Sequence, residues 1–313
     1  KSGVKTIVWT DALQSLFLIT VILVSIISIK NALNLSVGDM FSSIARHPYS
    51  EVFDWDPQSG SNFFKQFISG LLITVALVGL DQSMMQKTLT IKDAAGARKN
   101  VLSFSFFIAA AQTLFLGLGV LMYLYTEQKG IPLLRENGQI LNTDGIYPDL
   151  TLHYFGKTGA IAFFIAVIAS TFASIDSCIT ALTTSFSYDF MDFDKKSPAE
   201  RKQIKNRVLL GVNLVMFIIV LAFWNSQGAI INTIFKIAGY TYGPLLGLYL
   251  TGFFSGIKLK EKWVPVVCVA AAGITYLLNI LFLHYYQFDF GFMNIFVNAL
   301  LTVMFLFIIR KKD

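Results

Sequence analysis

Hydrophobic residues in this chain come in long, nearly unbroken stretches, not in the alternation of a strand or the one-sided stripe of a soluble helix. The apolar runs fall near 5–29, 63–86, 101–125, 159–186, 207–224, 229–255, 263–283 and 291–309. A helix of about 20 apolar residues crosses roughly 30 Å of hydrocarbon, so each run predicts a membrane-crossing helix. The expected fold class is all-α: a polytopic membrane helix bundle of about eight spans, forming a single transmembrane domain over 1–313. Two longer connections, 32–61 and 126–157, hold the turn-forming pairs Asp56-Pro57, Ser59-Gly60 and Asn137-Gly138, and are expected to be ordered caps with short helices. The connection 191–206 contains Ser197-Pro198-Ala199-Glu200, in which Ser at the N-cap and Pro at the first helical position start the next helix.

Composition agrees with lipid as the solvent. Of 313 residues, 55% are hydrophobic and 14% charged, where a soluble chain has about a quarter charged. The mean hydropathy is +0.62. The net charge of +6 matters through its placement: with the first residue inside, 18 of the 25 Lys and Arg fall in inside segments and six in outside ones. That asymmetry follows the positive-inside rule and puts both ends of the chain in the cytoplasm. It points to a multi-pass protein of the inner membrane whose partner is the lipid bilayer, with no nucleic-acid surface. Cys178 and Cys268 lie in apolar runs and read as packing residues. His47, His153 and His284 sit in outside loops or at helix ends, without a catalytic constellation, so no enzyme is expected. The chain opens Lys-Ser-Gly without Met, and an N-terminal truncation is expected.

Ionisable groups inside spans cost about 2.5–3.5 kcal/mol each at the bilayer centre, so each needs a partner or a wet path. Asp11, Asp81 and Asp176 are such groups; Lys236 lies close enough to its helix end to snorkel. The fourth run carries Ser170, Thr171 and Ser174, with the two serines one turn apart on one face. Such hydroxyls either back-bond to carbonyls and allow close packing or gather as ligands for a hard monovalent cation. Gly70, Gly79, Gly239, Gly243, Gly247 and Pro244 interrupt several spans. They either break helices to expose backbone oxygens, as in secondary transporters, or serve close packing. The residues alone indicate a multispan, transporter-like protein.

Four stretches carry a resemblance. Val4 to Gln14, with Trp9-Thr10-Asp11, is similar to the Trp-Thr-Asp helix of the sodium/solute symporter family, which includes sodium/glucose, sodium/proline and sodium/sialic acid carriers. Gly79-Leu80-Asp81-Gln82 with Gln86-Lys87 resembles that family's Asp-Gln segment after its sixth core helix. Ser170-Thr171-Phe172-Ala173-Ser174 resembles its eighth core helix, and Gly239 to Gly247 its tenth. The resemblance implies the inverted-repeat fold shared with the bacterial leucine transporter, here lacking the first four core helices. It also implies sodium-coupled symport of a small organic solute by alternating access, with sodium as the co-transported ion. By that likeness Ser170 and Thr171 would give hydroxyls and Val167 a carbonyl to the main sodium site, whose other half would be missing. Asp11, Ser170 and Ser174 match a second sodium position; the other reading of Asp11 is a contact that stabilises the helix start. Asp81 and Gln82 are candidates for the solute pocket. The sugar carriers have Asn where Asp81 stands and a Gln near Phe235, which argues against a galactose-like pocket. A membrane sensor module of a transporter-like signalling protein is the alternative function.

Overall fold

The computed structural model describes residues 3–81, 84–85, 88–133, 135–136, 139–140, 143–224 and 230–311. Among them the helices are α1 (Gly3–Ala32), α2 (Val37–Arg46), α3 (Phe63–Gly79), α4 (Ala94–Lys129), α5 (Thr143–His153), α6 (Gly156–Phe190), α7 (Pro198–Phe223), α8 (Ile230–Phe254), α9 (Val264–Tyr286) and α10 (Asn294–Ile308). One small antiparallel pair, β1 (Arg135–Glu136) with β2 (Gln139–Ile140), interrupts them.

Every apolar run forms a helix, and the caps expected in the two longer connections are the short helices α2 and α5. The Asn137-Gly138 turn lies outside the described residues. Six described helices are long and apolar enough to cross a membrane: α1, α4, α6, α7, α9, and α10 with the turn that precedes it. At 25 residues α8 is long enough, but it is not among these six. The run 63–86 needs correction. Its helix ends at Gly79 after 17 residues, because Asp81 starts a new turn. The Asp81 carboxylate accepts the Met84 N–H at 3.1 Å and its carbonyl the Met85 N–H at 2.9 Å.

The Ser197 start is built as its sequence predicts. Ser197 Oγ accepts the Glu200 N–H at 3.4 Å, the Glu200 carboxylate accepts the Ser197 N–H at 2.9 Å, and Pro198 opens the helix. A reciprocal cap of this kind satisfies two amides that the helix itself cannot, and losing the Ser costs about 1 kcal/mol. Ser36 and Asp39 repeat it at α2.

By contact the chain groups into two compact units, Lys1–Ser50 with Gln86–Ile230, and Glu51–Met85 with Ile231–Asp313. In the first, α1 packs along α6, α4 lies against α1, and α7 against α6. Its buried core joins Ile22 and Ile29 of α1, Met40 of α2, Leu118, Leu121 and Tyr125 of α4, and Ile146 and Leu150 of α5. The short helices are thus fixed by apolar packing, and a hydrogen bond of 2.8 Å between Ser25 Oγ and Tyr147 Oη adds a polar tie from α1 to α5.

In the second unit α9 packs on α10, and α3 packs on α10 and the turn before it. Lys65, in the first turn of α3, is only 5% exposed. Its ammonium donates to the carbonyls of Ser59 at 3.0 Å and Asp289 at 2.5 Å and sits 3.7 Å from the Phe288 ring centroid. Two carbonyl dipoles and an aromatic face compensate the buried charge. The residue thereby ties the connection before α3 to the one before α10.

Candidate cation site

Burial along α6 follows a helical stripe. Ala166 and Ala181 are buried and Ser170 and Ser177 half-buried, while Val167, Thr171, Phe172, Ser174 and Asp176 are exposed. Ser170 therefore sits at the edge of the packed face, with Thr171 one step round the helix. Both hydroxyls donate to one atom, the Val167 carbonyl oxygen: Ser170 Oγ at 3.0 Å and Thr171 Oγ1 at 2.8 Å. Three residues singled out in the sequence are thus joined in a single hydrogen-bonded knot.

This is the back-bonded arrangement, and it is compatible with ligation. A hydroxyl that gives its proton to a carbonyl one turn back keeps its lone pairs pointing away from the helix, where a cation can approach. The Val167 oxygen is in a different position, since it already accepts both hydroxyl protons. It becomes a ligand only when one hydroxyl rotates off it.

The packing of α1 along α6 sets the helix of Asp11 against the helix of Ser170 and Ser174. Asp11 is half-buried, and its carbonyl accepts Ser15 Oγ at 2.9 Å. Asp176, a carboxylate on α6, is exposed, as is Lys236 on α8. Asp81 belongs to the second unit and serves as the cap described above; Gln82 lies outside the described residues.

Two features escape the sequence pattern. Ser177 Oγ is buried without a hydrogen-bond partner among the described residues, and it lies on the packed stripe below Ser170. Its seven-residue offset from Ser170, two turns along one face, is the signal that could have found it. The glycines of α8 resolve in favour of close packing: the helix runs unbroken through Gly239, Gly243 and Gly247. A Cβ at Gly243 would lie 2.5 Å from Asn298 Cβ, and one at Gly247 would lie 2.7 Å from Thr302 Cβ. Asn294, Asn298 and Thr302, four residues apart on α10, are the partners that the glycine spacing alone could not name.

Comparison with known proteins places this helix order. The chain is 22% identical over 293 residues to the sodium/sialic acid symporter SiaT of Proteus mirabilis (strain HI4320), covering 90% of this chain and 58% of that protein. It is 23% identical over 322 residues to the sodium/glucose cotransporter of Vibrio parahaemolyticus, covering 96% of this chain and 57% of that one. The sodium-dependent multivitamin transporter of Oryctolagus cuniculus is 24% identical over 261 residues, covering 80% and 40%. The chain therefore spans about half the length of the curated relatives it matches. A solved structure of a sodium-coupled sialic acid symporter, substrate-bound and outward-open, superposes with a TM-score of 0.71 at 18% identity over 99% of this chain and 64% of that one, so the two share a fold. The family model for the sodium:solute symporter family matches residues 2–256. That match takes in α1 to α8, the hydroxyl-bearing helix included, and by it the chain belongs to the sodium:solute symporter family.

Proposed function

We propose that the protein is a sodium-coupled symporter that carries a small organic solute across the inner membrane by alternating access, with both ends of this chain in the cytoplasm. The family match over residues 2–256 carries the reading. The family is one of transporters, so no catalytic residue is assigned.

In this proposal Ser170 and Thr171 supply two hydroxyl oxygens to a sodium ion, and Val167 adds its carbonyl once a hydroxyl swings away. Oxygen ligands of this kind suit a hard cation, and three of them already meet within one turn of α6. Asp11, Ser170 and Ser174 form a second sodium position, supported by the packing of α1 along α6 and by the half-burial of Asp11. Asp81 and Gln82 are assigned to the solute pocket, where the capping role of Asp81 would hold its carboxylate in a fixed direction. The inside loops, with most of the basic residues, face anionic lipid headgroups of the bilayer rather than nucleic acid.

The test is uptake by cells producing the protein, with sialic acid, glucose, proline and short monocarboxylates offered as radiolabelled solutes. At least one should accumulate under an inward sodium gradient and cease to accumulate when choline replaces sodium. Accumulation that ignores sodium and follows a proton gradient would contradict the proposal.

A further inference from the structure

Pro244 lies in the middle of α8, yet the helix continues through it. Proline has no N–H, so the carbonyl four residues earlier, that of Tyr240, loses its intrahelical donor. In hydrocarbon no water replaces that donor, and the gap must be filled from within the protein. Another helix fills it here. Asn298 Nδ2 on α10 donates to the Tyr240 carbonyl at 2.9 Å and reaches the Gly239 carbonyl at 3.3 Å.

The surroundings are shaped for this amide. A Cβ at Gly243 would lie 2.6 Å from Asn298 Cγ and 2.7 Å from Nδ2, so the space that admits the side chain exists because residue 243 is glycine. Asn298 is 0% exposed, and its Oδ1 has no hydrogen-bond partner among the described residues. The orientation follows from its neighbours, since turning the amide over would set its oxygen against two carbonyl oxygens. A buried amide with an unsatisfied oxygen is costly, and a leucine would fill similar volume without that cost. What a leucine cannot do is donate to Tyr240. Asn294, one turn earlier, adds a longer contact from Nδ2 to Tyr240 Oη at 3.3 Å.

We infer that Asn298 is a positioning residue that replaces the N–H missing at Pro244, holds the course of α8 there, and ties α10 to the turn of α8 before the proline. The lock is a property of the helix pair and holds whatever ion or solute the protein carries.

A double-mutant cycle in lipid nanodiscs tests it, using the full chain with Asn298→Leu, Pro244→Ala and both together. Pro244→Ala restores an N–H for the Tyr240 carbonyl, so it should remove most of the need for Asn298. Asn298→Leu alone should lower Tm by roughly 2–6 °C, the size expected for one orphaned buried carbonyl, and by less than half as much in the Pro244→Ala background. Spin labels at the exposed positions Ile231 and Phe253, with Cys178 and Cys268 replaced, report how firmly α8 holds one course across Pro244. Their distance distribution should be narrow in the parent, broad with Asn298→Leu, and narrow again in the double variant. Should Asn298→Leu prevent folding in both backgrounds, Asn298→Ser, whose short hydroxyl cannot reach Tyr240, runs through the same cycle. Equal losses of Tm in the two backgrounds, or a distribution that stays narrow when Asn298 is replaced, would overturn the inference.

Discussion

Replacing Ser170 and Thr171 together by alanine should leave a folded protein whose uptake no longer responds to sodium in the physiological range. An interaction with a charged group is worth about 1.5–3 kcal/mol, and each 1.4 kcal/mol is about tenfold in affinity. Losing both hydroxyls should therefore raise the sodium concentration for half-maximal uptake by roughly 100-fold or more. Folding should be spared, because among the described residues each hydroxyl bonds only within its own helix, to Val167, and Thr171 is exposed. Thr184 on the same helix is the control. It is half-buried and back-bonds to the Thr180 carbonyl at 2.7 Å in the same way, so Thr184→Ala should leave the sodium response unchanged. Thr171→Ser, which keeps the oxygen, should restore most of the response. The same titration with Asp11→Asn separates the two readings of that carboxylate. A cation ligand predicts weaker sodium dependence at normal expression, whereas a structural contact predicts equal loss of folded protein and of transport.

Adding a single methyl group at Gly243 should damage the fold far more than the same change at Gly252 of α8. The new Cβ would fall 2.5–2.7 Å from Asn298 Cβ, Cγ and Nδ2. Two of these atoms are at the root of the side chain, so rotation of the amide cannot relieve the contact and α10 must move. Overpacking of this kind costs about 1–3 kcal/mol, and here it also removes the donor from Tyr240. Gly252 lies on the same helix with nothing within 4 Å of its would-be Cβ. Gly252→Ala should be neutral or slightly stabilising, since alanine is the better helix former. Thermal unfolding of the two variants side by side in nanodiscs checks the contrast; similar Tm values would mean that α8 and α10 are not in close contact.

The helices were largely legible in the sequence because lipid leaves a chain few choices. Each apolar run had to satisfy its backbone internally, and each became a helix. Ser197-Pro198-Ala199-Glu200 was readable for a similar reason, as cap chemistry is local and needs no knowledge of neighbours. The boundary at 63–86 was missed because Leu80, Met84 and Met85 continue the apolar count, while the stop is set by the Asp81 carboxylate capturing the Met84 amide. Pairings were harder. Gly239, Gly243 and Gly247 advertise a smooth helix face, but nothing local says whether that face breaks open to a ligand or receives a neighbour, and the answer lies more than 50 residues away in Asn294 and Asn298. Lys65 counted simply as an outside charge, and its burial depends on a carbonyl and a ring supplied by the connection before α10. Of the site, the Ser170–Thr171 pair was visible as chemistry, and the structure adds that both hydroxyls converge on one carbonyl.

Sodium movement driven by the solute tests the central claim most directly, because coupling is reciprocal. Proteoliposomes holding the protein would contain equal sodium on both sides, with an inward gradient of whichever solute the uptake panel identifies. The account predicts that labelled sodium enters and accumulates above its outside concentration, and that the Ser170→Ala/Thr171→Ala variant shows no such entry. Solute equilibrating across the membrane while sodium stays level would contradict it.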